Sequence, residues 1–198
     1  ETKPEDLCDK PKNCEVCKNS IPKDSVFDLY WSGGLDKRLF KKGITKIIDI
    51  PNSTPLNTKQ NIQQRALLSG NVQLDREKIK QFLSRLSYPL YFLDFETFSP
   101  VVPIYDGTRP YQRIPFQYSL HKVYNNQEVE HKEFLASSKE DPREDFLTQL
   151  QRDLQEKGTI IAYHDSFEKG MLRELAQTQR TFAEWVETTN QRMIDLAT

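Results

Sequence analysis

One short segment, residues 91–95, constrains the fold of this chain more than any other. Leu93 and Phe95 flank Asp94, and Glu96 follows directly. A short apolar run rich in aromatic residues predicts a central strand of a sheet. Because successive side chains of a strand point to opposite faces, Asp94 and Glu96 must share one face. Two carboxylates are therefore expected side by side on a core-forming strand.

This carboxylate pair has two possible explanations. A buried carboxylate without a partner costs several kcal/mol, so two of them on a buried strand require a compensating cation. Alternatively, the strand ends at Phe95, and Glu96 lies on a solvated rim. The spacing alone does not separate the two.

A second acidic cluster occurs where a predicted strand, residues 159–163, runs into a predicted helix, residues 166–177. Glu168 shares a helix face with Leu172 and Leu175, at i+4 and i+7, so it is expected to face the sheet. Asp165 is a second candidate nearby. A surface role is the alternative, because the helix dipole favours an acid in the first turn.

The remaining pattern predicts an α/β domain with a mixed sheet and flanking helices over residues 88–198. Further strands are expected at 116–124, 129–135 and 192–196, with a hairpin turn at Asn125 and Asn126. A helix is expected with Asp141 as its N-cap and Pro142 as its first residue, ended by Gly158. His121, in mid-strand, is expected to be a packed histidine. The rest of the chain divides into a cysteine-bearing segment, 1–24, and a helical linker region, 25–87.

The two acidic blocks resemble a known group of enzymes. Residues 93–97 read Leu-Asp-Phe-Glu-Thr, and residues 163–168 read Tyr-His-Asp-Ser-Phe-Glu. This order is similar to the first two sequence blocks of DEDD exonucleases, which have an RNase H-like fold. More narrowly, residues 88–97 and 110–121 resemble the bacterial family catalogued as domain of unknown function 2779. The resemblance covers residues 88–198.

The resemblance implies a two-metal nuclease acting on DNA or RNA, with 3′-to-5′ polarity. Two Mg²⁺ or Mn²⁺ ions would lie about 3.5 to 4 Å apart. Asp94, Glu96 and Glu168 would be their ligands, and Asp165 is the reserve for the second block. Glu168 stands where that block usually has Asp, and His164 stands where Asn is common.

The exonuclease pattern ends with an Asp preceded by a Tyr four residues earlier or by a His five residues earlier. No pair in this sequence has that spacing, and Asp195 does not replace it. The last block is therefore expected beyond Thr198, and residues 1–198 alone are expected to be weak or inactive. An alternative is a module that binds nucleic acid or a protein without cleaving it.

The stretch that follows the first strand contains candidate nucleic-acid contacts, namely Arg109, Tyr111, Gln112 and Arg113. Guanidinium groups pair with phosphates, and a tyrosine ring stacks on a terminal base. An ordinary loop with exposed basic residues is the alternative.

Three cysteines near the start, Cys8, Cys14 and Cys17, have the spacing of metal ligands but supply only three of four donors. His131 is too distant in sequence to be an obvious fourth ligand. The arrangement resembles the cysteine cluster that closes RecB-like nuclease domains, which implies a [4Fe-4S] cluster completed by residues outside this chain. Zinc bound in an adaptor and three reduced thiols are the alternatives.

Charge and hydropathy narrow the function classes. The net charge of −1 conceals an asymmetry: residues 1–87 carry 16 basic and 11 acidic side chains, and residues 88–198 carry 12 and 18. The acidic half argues against broad electrostatic binding of nucleic acid by that half alone, but not against a substrate held through metal ions. No run of about 18 apolar residues and no signal peptide is found, so no membrane partner and a cytoplasmic location are expected.

Overall fold

The computed structural model describes residues 13–15, 17–137 and 140–197. The chain divides into two compact units, Glu1–Glu77 and Lys78–Thr198. Among the described residues, no helix is long and apolar enough to cross a membrane. Cys8 lies outside the described residues.

The first unit is built from short helices around a small apolar core. Its helices are α1 (Leu35–Lys41) and α2 (Thr58–Ser69), and 3-10 turns occur at Lys18–Ser20, Val26–Asp28 and Ile47–Asp49. Asn57 and Gln60 form a capping box at the start of α2. The side chain of Gln64 donates to the carbonyl oxygens of Ile47 and Ile50, at 3.2 and 2.7 Å. These bonds join α2 to the 3-10 turn at Ile47–Asp49, and the side chains of Ile47 and Ile50 belong to the apolar core. Helix α3 (Arg76–Ser84) runs across the division between the units.

The second unit contains a five-stranded mixed sheet, which confirms the predicted α/β class. Its strands are β1 (Leu90–Phe98), β2 (Ile114–Val123), β3 (Val129–Leu135), β4 (Thr159–Ala162) and β5 (Met193–Asp195). The strand order is β3-β2-β1-β4-β5. Pairing is antiparallel from β1 to β2 and from β2 to β3, and parallel from β1 to β4 and from β4 to β5. The central strand is β1, as its apolar run predicts.

Helices cover one face of this sheet. They are α4 (Arg143–Asp153), α5 (Ser166–Thr178) and α6 (Ala183–Gln191), and a 3-10 turn at Arg180–Phe182 precedes α6. Tyr91, Leu93 and Phe95 of β1 join one buried cluster with Phe146 of α4 and Leu172 of α5. The alternate residues of β1 are exposed. Within the described residues, the second face of β1 is therefore open.

Two details of α4 differ from the sequence prediction. The helix begins at Arg143 rather than at Pro142, and Asp141 accepts a hydrogen bond from the Arg143 amide while pairing with its guanidinium group. The helix ends at Asp153, five residues before Gly158. Gly158 instead leads into β4 with a φ of +99°, where an added Cβ would lie 2.1 Å from the carbonyl oxygen of Pro89.

A buried hydrogen bond joins the sheet to α4 and supports a stability prediction. The hydroxyl of Tyr118, a fully buried residue, donates to the Asp153 carboxylate. We expect Tyr118→Phe to lower the free energy of unfolding by about 1 kcal/mol, because the ring packing stays while the bond is lost. Urea titration followed by circular dichroism measures this. The control is Tyr163→Phe, whose side chain is 68% exposed and should tolerate the change; equal stability of both variants would contradict the prediction.

Candidate functional site

Strand β1 presents Asp94 and Glu96 on the open face of the sheet. Both are exposed, whereas Leu93 and Phe95 between and beside them are buried. Of the two explanations left open by the spacing, one buries both carboxylates in the core, where they would demand a cation, and the other leaves Glu96 on a solvated rim. Burial does not apply to these two side chains, because helices cover only the other face. Glu96 is exposed, as the second explanation has it, although β1 continues past Phe95 to Phe98. A compensating cation is therefore required only if another carboxylate of this region is buried.

Glu168 is a buried carboxylate of this region. It lies in the first turn of α5 on the face that also carries Met171, Leu172 and Leu175, and only 2% of it is exposed. Its Oε2 atom has no hydrogen-bond partner among the described residues. A buried carboxylate oxygen without a partner is costly, so the site is electrostatically incomplete.

Burial first, and then the nearby charges of Asp94, Asp165 and Asp195, together raise the pKa of Glu168 to about 7. These three carboxylates come from β1, from the β4 to α5 junction and from β5. The fold thus brings Asp94, Asp165 and Asp195 close enough to Glu168 to disfavour its charge. Glu96 lies on the same face as Asp94, next to a register shift between Glu96 and Thr97.

Asp165 differs from Glu168 in its partner. Its carboxylate pairs with Lys169 one helical turn later, and both side chains are largely buried. The charge of Asp165 is therefore compensated within the helix. Of the two second-block candidates, Glu168 has the oxygen that lacks a partner.

Asp195 belongs to this cluster, although the sequence offered no role for it. Its Oδ1 atom accepts hydrogen bonds from the amides of His164, at 2.9 Å, and Ala197, at 2.8 Å. The Ala197 amide, followed by the other backbone amides and His164, lowers the pKa of Asp195. In the parallel ladder Asp195 is opposite Ala162, so β4 and β5 end at the same edge. The sequence feature that could have identified Asp195 is an acidic residue at the end of a predicted strand.

His164 occupies the junction between β4 and α5 in an unusual backbone conformation. Its φ is +61°, which few residues other than glycine adopt. Its amide donates to Asp195, and its ring contacts Tyr163 edge-on with centroids 4.6 Å apart. Strained residues of this kind concentrate at functional sites.

The loop between β1 and β2 lies against α5. Arg109 pairs with Glu174 at 3.3 Å, and the guanidinium of Arg113 lies over the ring of Phe167, 5.4 Å from its centroid. Both arginines are exposed, as is Tyr111, whose φ is +61°. The loop is closed by the Tyr111 amide, which donates to the carbonyl oxygen of Pro100 at 2.9 Å.

Gln112 is half-buried, unlike the exposed Arg109, Tyr111 and Arg113. Its side-chain oxygen accepts the Arg109 amide at 3.0 Å, so it stabilises the loop from within. The structure therefore places Arg113 beside the residue that precedes Glu168, and Arg109 two turns along the same helix. A loop fixed in this way presents cationic groups along α5, the helix that carries Glu168.

The donor set suits hard divalent cations, because Mg²⁺ and Mn²⁺ prefer carboxylate oxygens. Such an ion would give the Oε2 atom of Glu168, which has no hydrogen-bond partner among the described residues, an electrostatic partner. In the part of the chain that the structure describes, however, no three Asp, Glu, His or Cys side chains are arranged to hold a metal ion. Of the predicted ligands, Asp94 interacts electrostatically with Glu168, and Glu96 shares only the face of Asp94. The three do not form a ready coordination sphere.

The described cysteines, Cys14 and Cys17, flank a turn of the first unit. The carbonyl oxygens of Cys14 and Cys17 accept the amides of Lys18 and Ser20, both at 2.9 Å. The two side chains are half-buried. The iron–sulfur or zinc site remains a prediction.

Comparison with known proteins gives one match. A family model described as "Domain of unknown function (DUF2779)" matches residues 91–198, which is more than half of the chain. No curated protein and no solved structure matches. The match covers β1 to β5 and every carboxylate of the cluster.

Proposed function

The chain belongs to the DUF2779 family, and from the site we propose that it hydrolyses phosphodiester bonds of nucleic acid with divalent metal ions. The buried, partnerless Glu168 carboxyl beside Asp94 and Asp195 carries this proposal. A fold gains no stability from such a cluster, so a ligand that neutralises it is the simplest reason for its presence.

Asp94, Glu96 and Glu168 are the residues that would hold Mg²⁺ or Mn²⁺. Asp165 is compensated by Lys169, and Asp195 is held by backbone amides. When bound, two such ions activate water and neutralise charge on the phosphate. The exposed carboxylates of β1 leave room for a substrate at the open face of the sheet.

Basic side chains of the protein would bind the phosphates of the nucleic acid. Arg113 and Arg109 are exposed and are fixed beside α5, where they can meet phosphates. Tyr111 and Tyr163, each 68% exposed, offer rings for stacking on an unpaired base. These contacts favour a single-stranded or frayed end as the substrate.

The DEDD resemblance supports the same proposal with finer detail. The first two blocks fall on β1 and at the β4 to α5 junction, where that resemblance expects them. The 3′-to-5′ polarity and the use of two ions are inferred from the resemblance alone. Choice between DNA and RNA is left to the assay.

A module that binds nucleic acid or a protein without cleavage is the second candidate. The observation in its favour is that no three metal-binding side chains are arranged around one point in the described residues. The two candidates differ in their dependence on metal. Binding without any Mg²⁺- or Mn²⁺-dependent cleavage would favour the module.

The test is a cleavage assay on end-labelled single-stranded DNA and RNA, in Mg²⁺, in Mn²⁺ and in EDTA. The assay is run on residues 1–198 and on the natural protein that contains them. We expect products only with metal. Cleavage that survives EDTA, or none in any form with either metal, would reject the proposal.

Arg113 supplies a prediction about binding. We expect Arg113→Gln to weaken binding of a single-stranded oligonucleotide severalfold and to lower the salt dependence by about one phosphate contact. Fluorescence anisotropy at several salt concentrations, with Ca²⁺ in place of the catalytic ion, measures this. Arg152→Gln is the matched control, since Arg152 is exposed on α4. An equal loss in both variants would mean that Arg113 has no specific contact.

A further inference from the structure

The open face of the sheet carries a pair of histidines that the proposed site does not use. His121 of β2 and His131 of β3 lie directly opposite each other in the antiparallel ladder. Their rings stack with centroids 4.4 Å apart and an interplanar angle of 22°. Both residues are exposed, so the ring of His121 packs on that of His131 and not in the core. The strand parity that exposes Asp94 also exposes His121.

The backbone holds this pair in a geometry that suits chelation. Directly opposite residues of an antiparallel pair have Cβ atoms about 4.5–5.5 Å apart. From the stacked arrangement, rotation about the side-chain bonds would turn one nitrogen of each ring toward a common point. Strand β2 is hydrogen-bonded on both sides, to β1 and to β3, which limits backbone movement at the pair.

Ser119 supplies an orienting contact. Its Oγ atom lies 3.3 Å from Nε2 of His131. A metal-binding histidine commonly uses its second nitrogen for such a hydrogen bond, which fixes the ring and its tautomer. Nδ1 of His131 is then the nitrogen left for a ligand.

The charge of this face selects a cation over a phosphate. In the register of the sheet, Phe92, His121 and His131 form one row, and Asp94, Ser119 and Glu133 form the next. Glu96 follows in the row beyond. Strands β1, β2 and β3 present no lysine or arginine on this face, since Lys122 is buried against the other side and Lys132 lies opposite Leu120. An anion would meet repulsion here, and a divalent cation would meet attraction.

We infer that His121 and His131 form a two-histidine site for a borderline transition ion such as Zn²⁺ or Ni²⁺. Imidazole favours these ions, whereas Mg²⁺ prefers oxygen. Because no third metal-binding side chain joins the pair in the described residues, water completes the coordination. The site is independent of the proposed nuclease function and differs from the carboxylate cluster in its preferred ion.

The test is calorimetric titration of residues 1–198 with Zn²⁺, Ni²⁺ and Mg²⁺, after the three cysteines have been blocked with N-ethylmaleimide. We expect one Zn²⁺ or Ni²⁺ per chain at this site, bound at least tenfold more weakly by His121→Ala and by His131→Ala. The chain has three histidines, so His164→Ala is the matched control and should bind as the wild type does. Glu168→Gln, which changes a residue of α5 and not of this face, should also retain the site, which separates this result from any failure of the nuclease proposal.

A second measurement does not depend on the folding of variants. Long-range ¹H–¹⁵N NMR spectra of the wild type resolve its three imidazoles. Ni²⁺ should broaden the signals of His121 and His131 and leave those of His164 sharp. Absence of binding, retention of affinity in both alanine variants, or broadening confined to His164 would each overturn the inference.

Discussion

Asp94→Asn should reduce metal-dependent cleavage by about two to four orders of magnitude while the protein stays folded. The change removes a carboxylate charge that neighbours Glu168 and preserves the size of the side chain. Metal-ion catalysis depends on that charge, and losing a ligand of the reacting centre has effects of this size. Initial rates on end-labelled oligonucleotides in Mn²⁺, in the form of the protein that cleaves, measure the effect.

Asp145→Asn is the matched control for this experiment. Asp145 is exposed on α4 and takes no part in the cluster, so its replacement should leave the cleavage rate unchanged. Circular dichroism and thermal unfolding confirm that both variants are folded. Equal rates for the wild type and Asp94→Asn would remove Asp94 from the mechanism, and the binding module would become the better explanation.

Glu168→Gln should stabilise the metal-free protein at pH 8 and remove a pH dependence of its stability. Burial, with the neighbouring carboxylates, raises the pKa of Glu168 to about 7 from an ordinary value of 4.5. Between these values the folded protein binds more protons at this residue than the unfolded chain does. Stability from this group is therefore highest at low pH and falls as the pH rises from 4.5 to 7.

The expected difference between pH 5 and pH 8 is on the order of 2–3 kcal/mol in the free energy of unfolding. Glutamine has the same shape without the charge, so the variant should lose this dependence. Urea titrations in EDTA at both pH values measure it, with Glu144→Gln on the exposed side of α4 as the control. Identical pH profiles for the wild type and Glu168→Gln would show that Glu168 is not held in a destabilised state.

Metal binding gives the same variant a second readout. Mn²⁺ should raise the unfolding temperature of the wild type, because an ion that binds only the folded state stabilises it. The unfolding temperature of Glu168→Gln should rise less with Mn²⁺, since this variant lacks the charge that the ion would neutralise. A full response in Glu168→Gln would exclude Glu168 as a ligand.

The sequence by itself determined which side chains share a face. The period of two placed Asp94 with Glu96, and the helical period placed Glu168 with Leu172 on the side of α5 that packs against the sheet. These are local properties, because the backbone geometry of a strand or a helix sets them within a few residues. The α/β class and the central position of β1 followed from the same local patterns.

Only the tertiary structure decided which face is covered and which distant acids meet. Local periodicity says that Asp94 and His121 each lie on one side of a strand, but not whether helices cover that side. The packing of α4 and α5 on the opposite face exposed both residues, and it thereby excluded burial, one of the two explanations left open for the pair of Asp94 and Glu96. The sequence also could not place Asp195 beside Glu168, because that proximity depends on the parallel pairing of β5 with β4, more than thirty residues apart in the chain.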